Sequence, residues 1–448
     1  MGTEELLKVE TGSLLKFRIQ RKPLLSNQAL DIASILFLFV LTILFFAGVL
    51  FSDKYAIPWD MIDYYYPSQF YSMESIKNGF LPLWNPHILA GFPAIADPEN
   101  AVFYPLNVFL LLFSFNSTLS LKMVETFLAL HYFLTGLFMW IFLRSLPLKR
   151  FAALSGAIMY MFSGYLAAHA QHLGPIMGST WIPLILYYCR KCIVEKNNRH
   201  VIKAGLLLGV QILAGYPQTT FSTLLAILLY FGWYSIKRAY NIRSWRPIIK
   251  SGYSYILMFL TGISIAAIQL APTIQLHFLS VRSEIPREYA LLEQFPLDPI
   301  NLVTTILPNF FGGLFGAPAW LPRDMTEGHL YLGILPIMLL IIGLKCTTKK
   351  NIMWLIIGGF FFVLALGGYT IWPRIYYHVS PYLNFFARSS NYFLMTNFCI
   401  AIFAAYGMQH VLSNTKNPDI YIALRGMKLV LLVFTAIFIM MALTVVFL

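Results

Sequence analysis

The sequence predicts an all-α polytopic membrane protein with about eleven transmembrane helices and a large first extracytoplasmic loop containing juxtamembrane helices. Three observations predict it. The 448 residues are 58% hydrophobic and only 11% charged, with a mean hydropathy of +0.68, far from the roughly 25% charged residues of soluble domains. Apolar runs of near-membrane length recur from one end to the other. The basic residues also fall in alternate connections, as expected for loops kept on the cytoplasmic side.

Taken in order, the predicted spans are 30–51, 121–143, 151–168, 175–189, 201–215, 217–236, 252–271, 330–344, 352–371, 391–412 and 427–447. Residues 1–29 are polar and basic and form a cytoplasmic N-terminal segment, and 30–448 form a single integral membrane domain. The first run is too long for a signal-peptide core and lacks a cleavage site, so it is expected to be retained as a span. Lys8, Lys16, Arg18, Arg21 and Lys22 place the N-terminus inside, and Arg144/Lys149/Arg150 and Lys345/Lys349/Lys350 follow the same alternation. The net charge of +13 is therefore a topology signal, and nucleic acid is not expected as a partner. Phe103–Phe115 is apolar but too short to cross a core of about 30 Å, and reads as re-entrant or interfacial. The main extracytoplasmic loops are then 52–120 and 272–329. Cys189-Arg190-Lys191-Cys192 ends a predicted span on the inner side and reads as reduced and structural.

The densest chemistry lies between Trp59 and Pro105. Asp60-Met-Ile-Asp63 is followed by Tyr64-Tyr65-Tyr66-Pro67, and Asp97-Pro-Glu99-Asn100 by a short apolar run. The many Pro and Gly predict that no long helix forms there. Asp60 and Asp63, three apart, share a face in a helical turn. Such carboxylates suit a base that deprotonates a hydroxyl or ligands for a divalent cation. Their bland alternative is a hydrated loop with an aromatic belt of Trp59 and Tyr64–Tyr66. Asp97 and Glu99 stand in a turn that could fold back toward Asp60.

Further polar groups gather at the predicted outer ends of spans. His169, Gln171 and His172 follow the third span, and Tyr216-Pro-Gln218 follows the fifth. Their His-x-x-His spacing lacks a third metal ligand, so a polar cavity is the better expectation. Gln269 and Gln275 flank Pro272, with Arg282 beyond. Glu327-Gly-His329 pairs an acid with an imidazole before the eighth span, and Arg388 precedes the tenth. Arg282 and Arg388 offer planar cationic forks suited to phosphate, against the alternative of snorkelling at the surface. No P-loop, Rossmann glycine pattern, nucleophile elbow or HExxH occurs, which removes support for ATP-driven transport and zinc proteolysis.

In order along the chain, Asp60-Met-Ile-Asp-Tyr-Tyr-Tyr-Pro67, Gly79-Phe-Leu-Pro-Leu-Trp-Asn-Pro86 and Gly91-Phe-Pro-Ala-Ile-Ala-Asp97 resemble the first outer loop of bacterial YfhO-type membrane proteins. Phe103-Tyr-Pro-Leu106, Ala214-Gly-Tyr-Pro-Gln218, Ala267-Ile-Gln-Leu-Ala-Pro-Thr273 and Tyr331-Leu-Gly-Ile-Leu-Pro336 continue the resemblance, which spans roughly 30–412. That family is similar to GT-C glycosyltransferases, and the resemblance implies the following. The bacterial cytoplasmic membrane would hold the chain, with a polyprenyl-phosphate-linked sugar as donor. The acceptor would be an envelope glycopolymer such as a teichoic acid, or a lipid. Asp60 would be the essential acid, followed by Asp63. Asp97, Glu99, His172, Tyr216, Gln218, Gln269, Arg282, Glu327, His329 and Arg388 are the candidate substrate-binding residues. Family members usually continue into a further outer domain, whereas this sequence stops at Leu448, so it is either a short member or incomplete. Two rival readings are a transporter or flippase of lipid-linked sugars, which needs polar groups near mid-membrane, and a non-catalytic envelope scaffold, which leaves Asp60 and Asp63 exposed and far from any cavity.

Overall fold

The computed structural model describes residues 26–280, 283, 295–312, 325–348, 351–371, 375 and 388–413. Arg282, the predicted span 427–447 and most of segment 1–29 lie outside the described residues. Among the described residues the chain is helical and contains no strand, only an isolated bridge between Asn85 and Phe92.

The helices are α1 (Asn27–Phe45), α2 (Ala47–Phe51), α3 (Tyr66–Lys77), α4 (Val108–Phe113), α5 (Leu121–Arg144), α6 (Arg150–Met161), α7 (Gly164–Ala168), α8 (Leu173–Glu195), α9 (Arg199–Leu213), α10 (Pro217–Ile242), α11 (Arg246–Leu279), α12 (Met325–Gly328), α13 (Ile334–Lys345), α14 (Ile352–Ala365) and α15 (Phe393–Ser413). By length and composition six stretches are apolar enough to cross a membrane: Asn27–Phe45, Leu121–Arg144, Arg150–Gln171, Pro217–Ile242, Arg246–Leu279 and Ser389–Ser413. The chain is a multi-pass membrane protein on this evidence. Helices α13 and α14 are apolar but shorter than the predicted spans 330–344 and 352–371.

Local sequence explains the boundaries. Ser26 and Ser120 cap α1 and α5, their hydroxyls accepting from the amides of Ala29 (3.1 Å) and Met123 (3.3 Å). The predicted continuous span 151–168 is broken at Phe162–Ser163. There the Gly164 amide leaves the helix and donates to the Tyr331 carbonyl at 2.8 Å, and a Cβ at Gly164 would strike that backbone. Helix α11 runs through Pro272 to Leu279, so the second outer segment begins later than residue 272. The missing amide of Pro272 is tolerated because the helix docks there on the first loop: Gln269 Nε2 donates to the Ile95 carbonyl (3.0 Å) and Thr273 Oγ1 to the Ala96 carbonyl (2.9 Å).

In the first loop, Asp60 leads into a π-helical turn, Met61–Tyr65, that continues into α3 with Pro67 in its first turn. The first loop thus holds one juxtamembrane helix of twelve residues, and the Pro- and Gly-rich stretch 78–107 beyond it forms only short turns, as the sequence predicts. The run Phe103–Phe115 resolves into a 3₁₀ turn, Pro105–Asn107, and the short α4, neither long enough to span. Tyr104 plugs the end of the loop into the bundle. Its hydroxyl meets His131 Nε2 (2.9 Å) and accepts from Trp181 Nε1 (3.0 Å). His131 Nδ1 bonds the Phe127 carbonyl at 2.8 Å, which leaves Nε2 as the acceptor for the tyrosine.

Packing between helices relies on glycines. Gly205 and Gly209 of α9 face Thr261 and Ile265 of α11, and Gly343 of α13 and Gly407 of α15 each lie against the other helix's backbone. Small residues let such backbones approach where no hydrophobic effect separates helix from lipid. On the face toward the N-terminus, Arg150 Nε holds Asp31 Oδ1 at 2.5 Å and joins α6 to α1. Cys189 and Cys192 are both free and buried. Gly407→Ala is expected to lower the apparent thermal midpoint in detergent, because its Cβ would run into the Leu339 carbonyl and overpacking costs about 1–3 kcal/mol. Gly232→Ala, with nothing within 4 Å of the added carbon, should leave the midpoint unchanged; equal midpoints for the two variants would refute the close approach of α13 and α15.

Candidate functional site

At the end of the bundle that carries the first loop, side chains from several separate parts of the chain converge. The π turn sets the position of Asp60. Trp59 takes a left-handed conformation (φ 54°), and its carbonyl accepts from the amides of Ile62 (2.7 Å) and Asp63 (2.8 Å). This directs Asp60 Oδ2 to His172 Nε2 at 3.0 Å, at the residue that precedes α8. The wider i→i+5 winding removes the expected shared face of Asp60 and Asp63. Asp63 is exposed and has no side-chain partner among the described residues.

His172 is mostly buried, and burial lowers its pKa to about 4, helped by the neighbouring His169 and opposed by Asp60. The imidazole is therefore neutral near pH 7, and its Nε2 stands 3.0 Å from the Asp60 carboxylate as a close polar contact, not an ion pair. The rings of His169 and His172 lie 5.3 Å apart. His169 Nδ1 bonds the Tyr165 carbonyl (2.8 Å), and its Nε2 faces Glu327 Oε2 at 3.9 Å.

Asp97 and Glu99 are drawn back to the π turn, as the turn sequence suggested. Tyr64 donates to Asp97 Oδ2 at 2.7 Å and Tyr65 to Glu99 Oε2 at 2.6 Å, while Asp97 Oδ1 accepts the Glu99 amide at 3.0 Å. Burial and the adjacent carboxylates push both phenols well above their ordinary pKa, so they stay protonated donors. Tyr64 and Tyr65 are thus structural donors to the carboxylates and not a lipid-facing belt. Gly215 seals the other side of this turn. Its φ of +86° and its contact with the Pro98 carbonyl leave no room for a Cβ.

The third group forms around Glu327, which is 7% exposed. Its Oε1 accepts from Arg388 (2.8 Å) and its Oε2 from Ser390 Oγ (2.6 Å). The guanidinium also lies over the Phe295 ring, 5.1 Å from its centre, and keeps 40% of its side-chain surface open. Asn391 links this group to the next. Its Nδ2 donates to Tyr216 Oη (2.7 Å) and Gln218 Oε1 (3.2 Å), and its Oδ1 accepts from Tyr165 (2.9 Å). Gln171 Nε2 donates to Thr326 Oγ1 at 3.0 Å and ties the histidine turn to α12.

Of the candidates, Asp60, Asp97, Glu99, His172, Tyr216, Gln218, Glu327 and Arg388 thus fall into one connected region. Gln269 braces the 94–96 turn behind Asp97 and does not reach that region. Glu327 does not pair with His329; it turns to Arg388 and Ser390, and its nearest imidazole is His169. His329 is partly buried, which lowers its pKa, and it stands outside the network among the described residues. His169, Tyr65 and Asn391 are poorly marked in the sequence, because nothing in their spacing tells a hydrogen-bond donor from an ordinary aromatic or turn residue. Among the described residues no three His, Cys, Asp or Glu side chains converge in a way that could hold a metal ion.

No protein-family model matches the chain, and no curated protein matches it in sequence. Among solved structures it is similar in chain path to oligosaccharyltransferase from the archaeon Archaeoglobus fulgidus. With the enzyme tethered to an acceptor peptide the TM-score is 0.44 at 13% identity, covering 88% of this chain and 51% of that one. With AglB in complex with an inhibitory peptide and a dolichol-phosphate it is 0.49 at 11% identity, covering 89% and 52%; with the apo form it is 0.43 at 11%, with the same coverage. This chain therefore spans about half the length of those structures. Similarities of this size carry no part of the reading of the site.

The depressed pKa of His172 has a definite sign. Above the ordinary value of 6.5 the imidazole is neutral whether the chain is folded or not. As pH falls from 6.5 toward 4 the unfolded chain takes up the proton first, so stability is lost through that window and the loss is complete below it. Histidine NMR of the full chain in detergent should show the His172 resonance, assigned by its loss in His172→Gln, titrating near pH 4, and that variant should also lose its share of the acid destabilisation. Titration of His172 at its ordinary value would show that the ring is solvated.

Proposed function

We propose that this protein is an inverting membrane glycosyltransferase of the GT-C kind. In this reading it lies in the bacterial cytoplasmic membrane with about eleven spans, its N-terminus inside and the first loop outside. It moves a sugar from a polyprenyl-phosphate carrier to an acceptor hydroxyl of the envelope, such as that of a teichoic acid or another glycopolymer. The observation that carries the proposal is the Asp60 carboxylate. It stands 3.0 Å from the His172 imidazole at the mouth of a polar cluster that also holds the Glu327–Arg388 pair.

The residues divide the work as follows. Asp60, still 55% exposed, is reachable by a hydroxyl from outside and takes its proton. The acceptor oxygen bonds to the anomeric carbon as the bond from that carbon to the phosphate oxygen breaks on the opposite face. One displacement inverts the centre, and the lipid phosphate leaves with the electron pair. Arg388 offers a fixed positive charge where the phosphate charge develops. Glu327 and Phe295 hold the guanidinium in place, and the neutral His172 orients Asp60. The Tyr64–Asp97 and Tyr65–Glu99 pairs fix the turn that borders the sugar, with Tyr216 and Gln218 on its far side. Asp63, exposed and turned from the cluster, is assigned no step.

Proteoliposomes supplied with polyprenyl-phosphate sugars, assayed for release of lipid phosphate, test the assignment. Asp60→Asn should lower turnover by about 10²–10⁴-fold and leave the thermal midpoint unchanged, while Asp63→Asn should retain activity. Full activity of Asp60→Asn would overturn the assignment of the base.

A further inference from the structure

The first loop leaves a set of large apolar side chains that the site does not use. Phe80, Leu81, Leu83, Trp84 and Leu89 are each more than half exposed, with Leu89 at 82%. Single exposed apolar residues are ordinary on any protein, but these share one short loop whose shape is fixed. Asn85 and Phe92 exchange backbone bonds of 2.7 and 2.9 Å, the Gly91 amide donates to the Ile88 carbonyl (2.8 Å), and Tyr71 of α3 donates to the Trp84 carbonyl (2.5 Å). At the tip Leu89 and Ala90 adopt φ of 51° and 61°, a region that side chains with a Cβ avoid. Gly91 follows with the Trp84 ring against it, where a Cβ would collide. A strained turn that presents a leucine to the outside is held for a purpose other than packing.

The hydrogen bonds of α3 fix where this loop stands. Near its C-terminal end, Lys77 Nζ donates to the Ser117 carbonyl (2.7 Å) and Glu74 Oε1 accepts the Leu119 amide (3.1 Å), and from its first residue Tyr66 donates to the Leu119 carbonyl (3.2 Å). Residues 117–119 immediately precede α5, a helix long and apolar enough to cross a membrane. At the other end of this helical stretch Asp60 meets His172, just before α8. The helix thus lies along the end of the bundle, at the level where chains enter the membrane. Other outward apolar groups flank the same first-loop segment in sequence: Leu112 and Phe115 around α4, and Phe51 and Tyr55 where Lys122 gathers the carbonyls of Val49, Ser52 and Tyr55.

We infer that loop 79–91 is a membrane-surface wedge. Phe80, Leu81, Leu83 and Leu89 enter the upper acyl region of the leaflet on the first-loop side, and Trp84 sits among the headgroups. The lipid bilayer, not a second protein, is its partner, because the loop leaves α3 at the end tied to residues 117–119, where the membrane-length helix α5 begins. Its depth is limited: beyond the Asn85–Phe92 pair and a few turn bonds the loop's backbone lacks partners and cannot satisfy its amides inside hydrocarbon. Burial of such side chains at the interface favours attachment and holds α3 and the Asp60 turn at headgroup level. This inference stands whether or not the chain transfers sugars.

Environment-sensitive fluorescence on the full chain tests it. An NBD label is placed at Leu89→Cys, and separately at Phe80→Cys, in a Cys346→Ser background, since the other three native cysteines are buried. The labelled proteins are studied in nanodiscs of phosphatidylcholine and phosphatidylglycerol, with Leu44→Cys on the outward face of α1 as the lipid-exposed control. Blue-shifted emission, stronger quenching by a shallow (5-doxyl) than by a deep (12-doxyl) lipid, and little quenching by iodide are expected at both positions. Iodide quenching with unshifted emission would place the loop in water and overturn the inference. So would protection from both kinds of quencher, which marks a protein cover, or stronger quenching by the deep lipid. The two sites are independent, so a fold defect at one, seen as a lowered thermal midpoint, leaves the other decisive.

Discussion

Carboxylates carried to the end of an apolar helix bundle need donors, and that requirement shapes everything on the first-loop side of this protein. An unpaired acid at such a boundary loses water on one side and gains nothing in return. The chain answers it separately for each acid. Tyr64 and Tyr65 serve Asp97 and Glu99, His172 serves Asp60, and Arg388 with Ser390 serves Glu327. Glu125, fully buried near the start of α5, accepts the Ile57 amide at 2.7 Å and so sets where the loop starts. Each donor comes from a different stretch of chain than its acid, so satisfying the acids is the same event as folding the loop onto the bundle.

This view accounts for the local irregularities. The π turn is the means by which two successive tyrosines both reach carboxylates while Asp60 points away to α8; a regular α-helix would send residues 60, 64 and 65 elsewhere. Such turns cost helix hydrogen-bond quality and are common where a side chain must be re-aimed. The break between α6 and α7 serves the same end. It lets residues 169–172 form a turn across the bundle mouth and gives the Gly164 amide to Tyr331, which holds the segment carrying Glu327 nearby.

Much of this was legible in the sequence, because hydropathy and charge are properties of single stretches. Helices α5, α10 and α15 begin and end close to the predicted spans, since apolar length and flanking charge decide them. The short run 103–115 declared itself too brief to cross, and the turn at Asp97 declared its direction. What failed depends on partners distant in sequence. Helix α11 passes Pro272 because the 94–96 turn supplies contacts there, which no local rule for proline contains. Asp63 is displaced by a π winding that the residues Met61–Tyr65 do not announce. Glu327 chose Arg388 across a long separation over the histidine two residues away. Tyrosine in particular is ambiguous: the same residue belongs to a lipid belt or to a buried donor pair, and only the position of an acid decides which.

The charge arrangement also sets what the cluster can do to an incoming anion. His172 is neutral, and Arg388 is balanced by Glu327, so the cation nearest the site does not stand as a bare charge. The planar fork of a guanidinium is suited to two anions at once. A phosphate arriving beside Arg388 would therefore meet attraction tempered by Glu327, while its leaving-group charge grows as the reaction proceeds. Stabilisation that increases with developing charge is the kind that lowers a barrier, in contrast to tight binding of the ground state. The Glu327–Arg388 pair is thus better understood as a regulator of that field than as a structural tie.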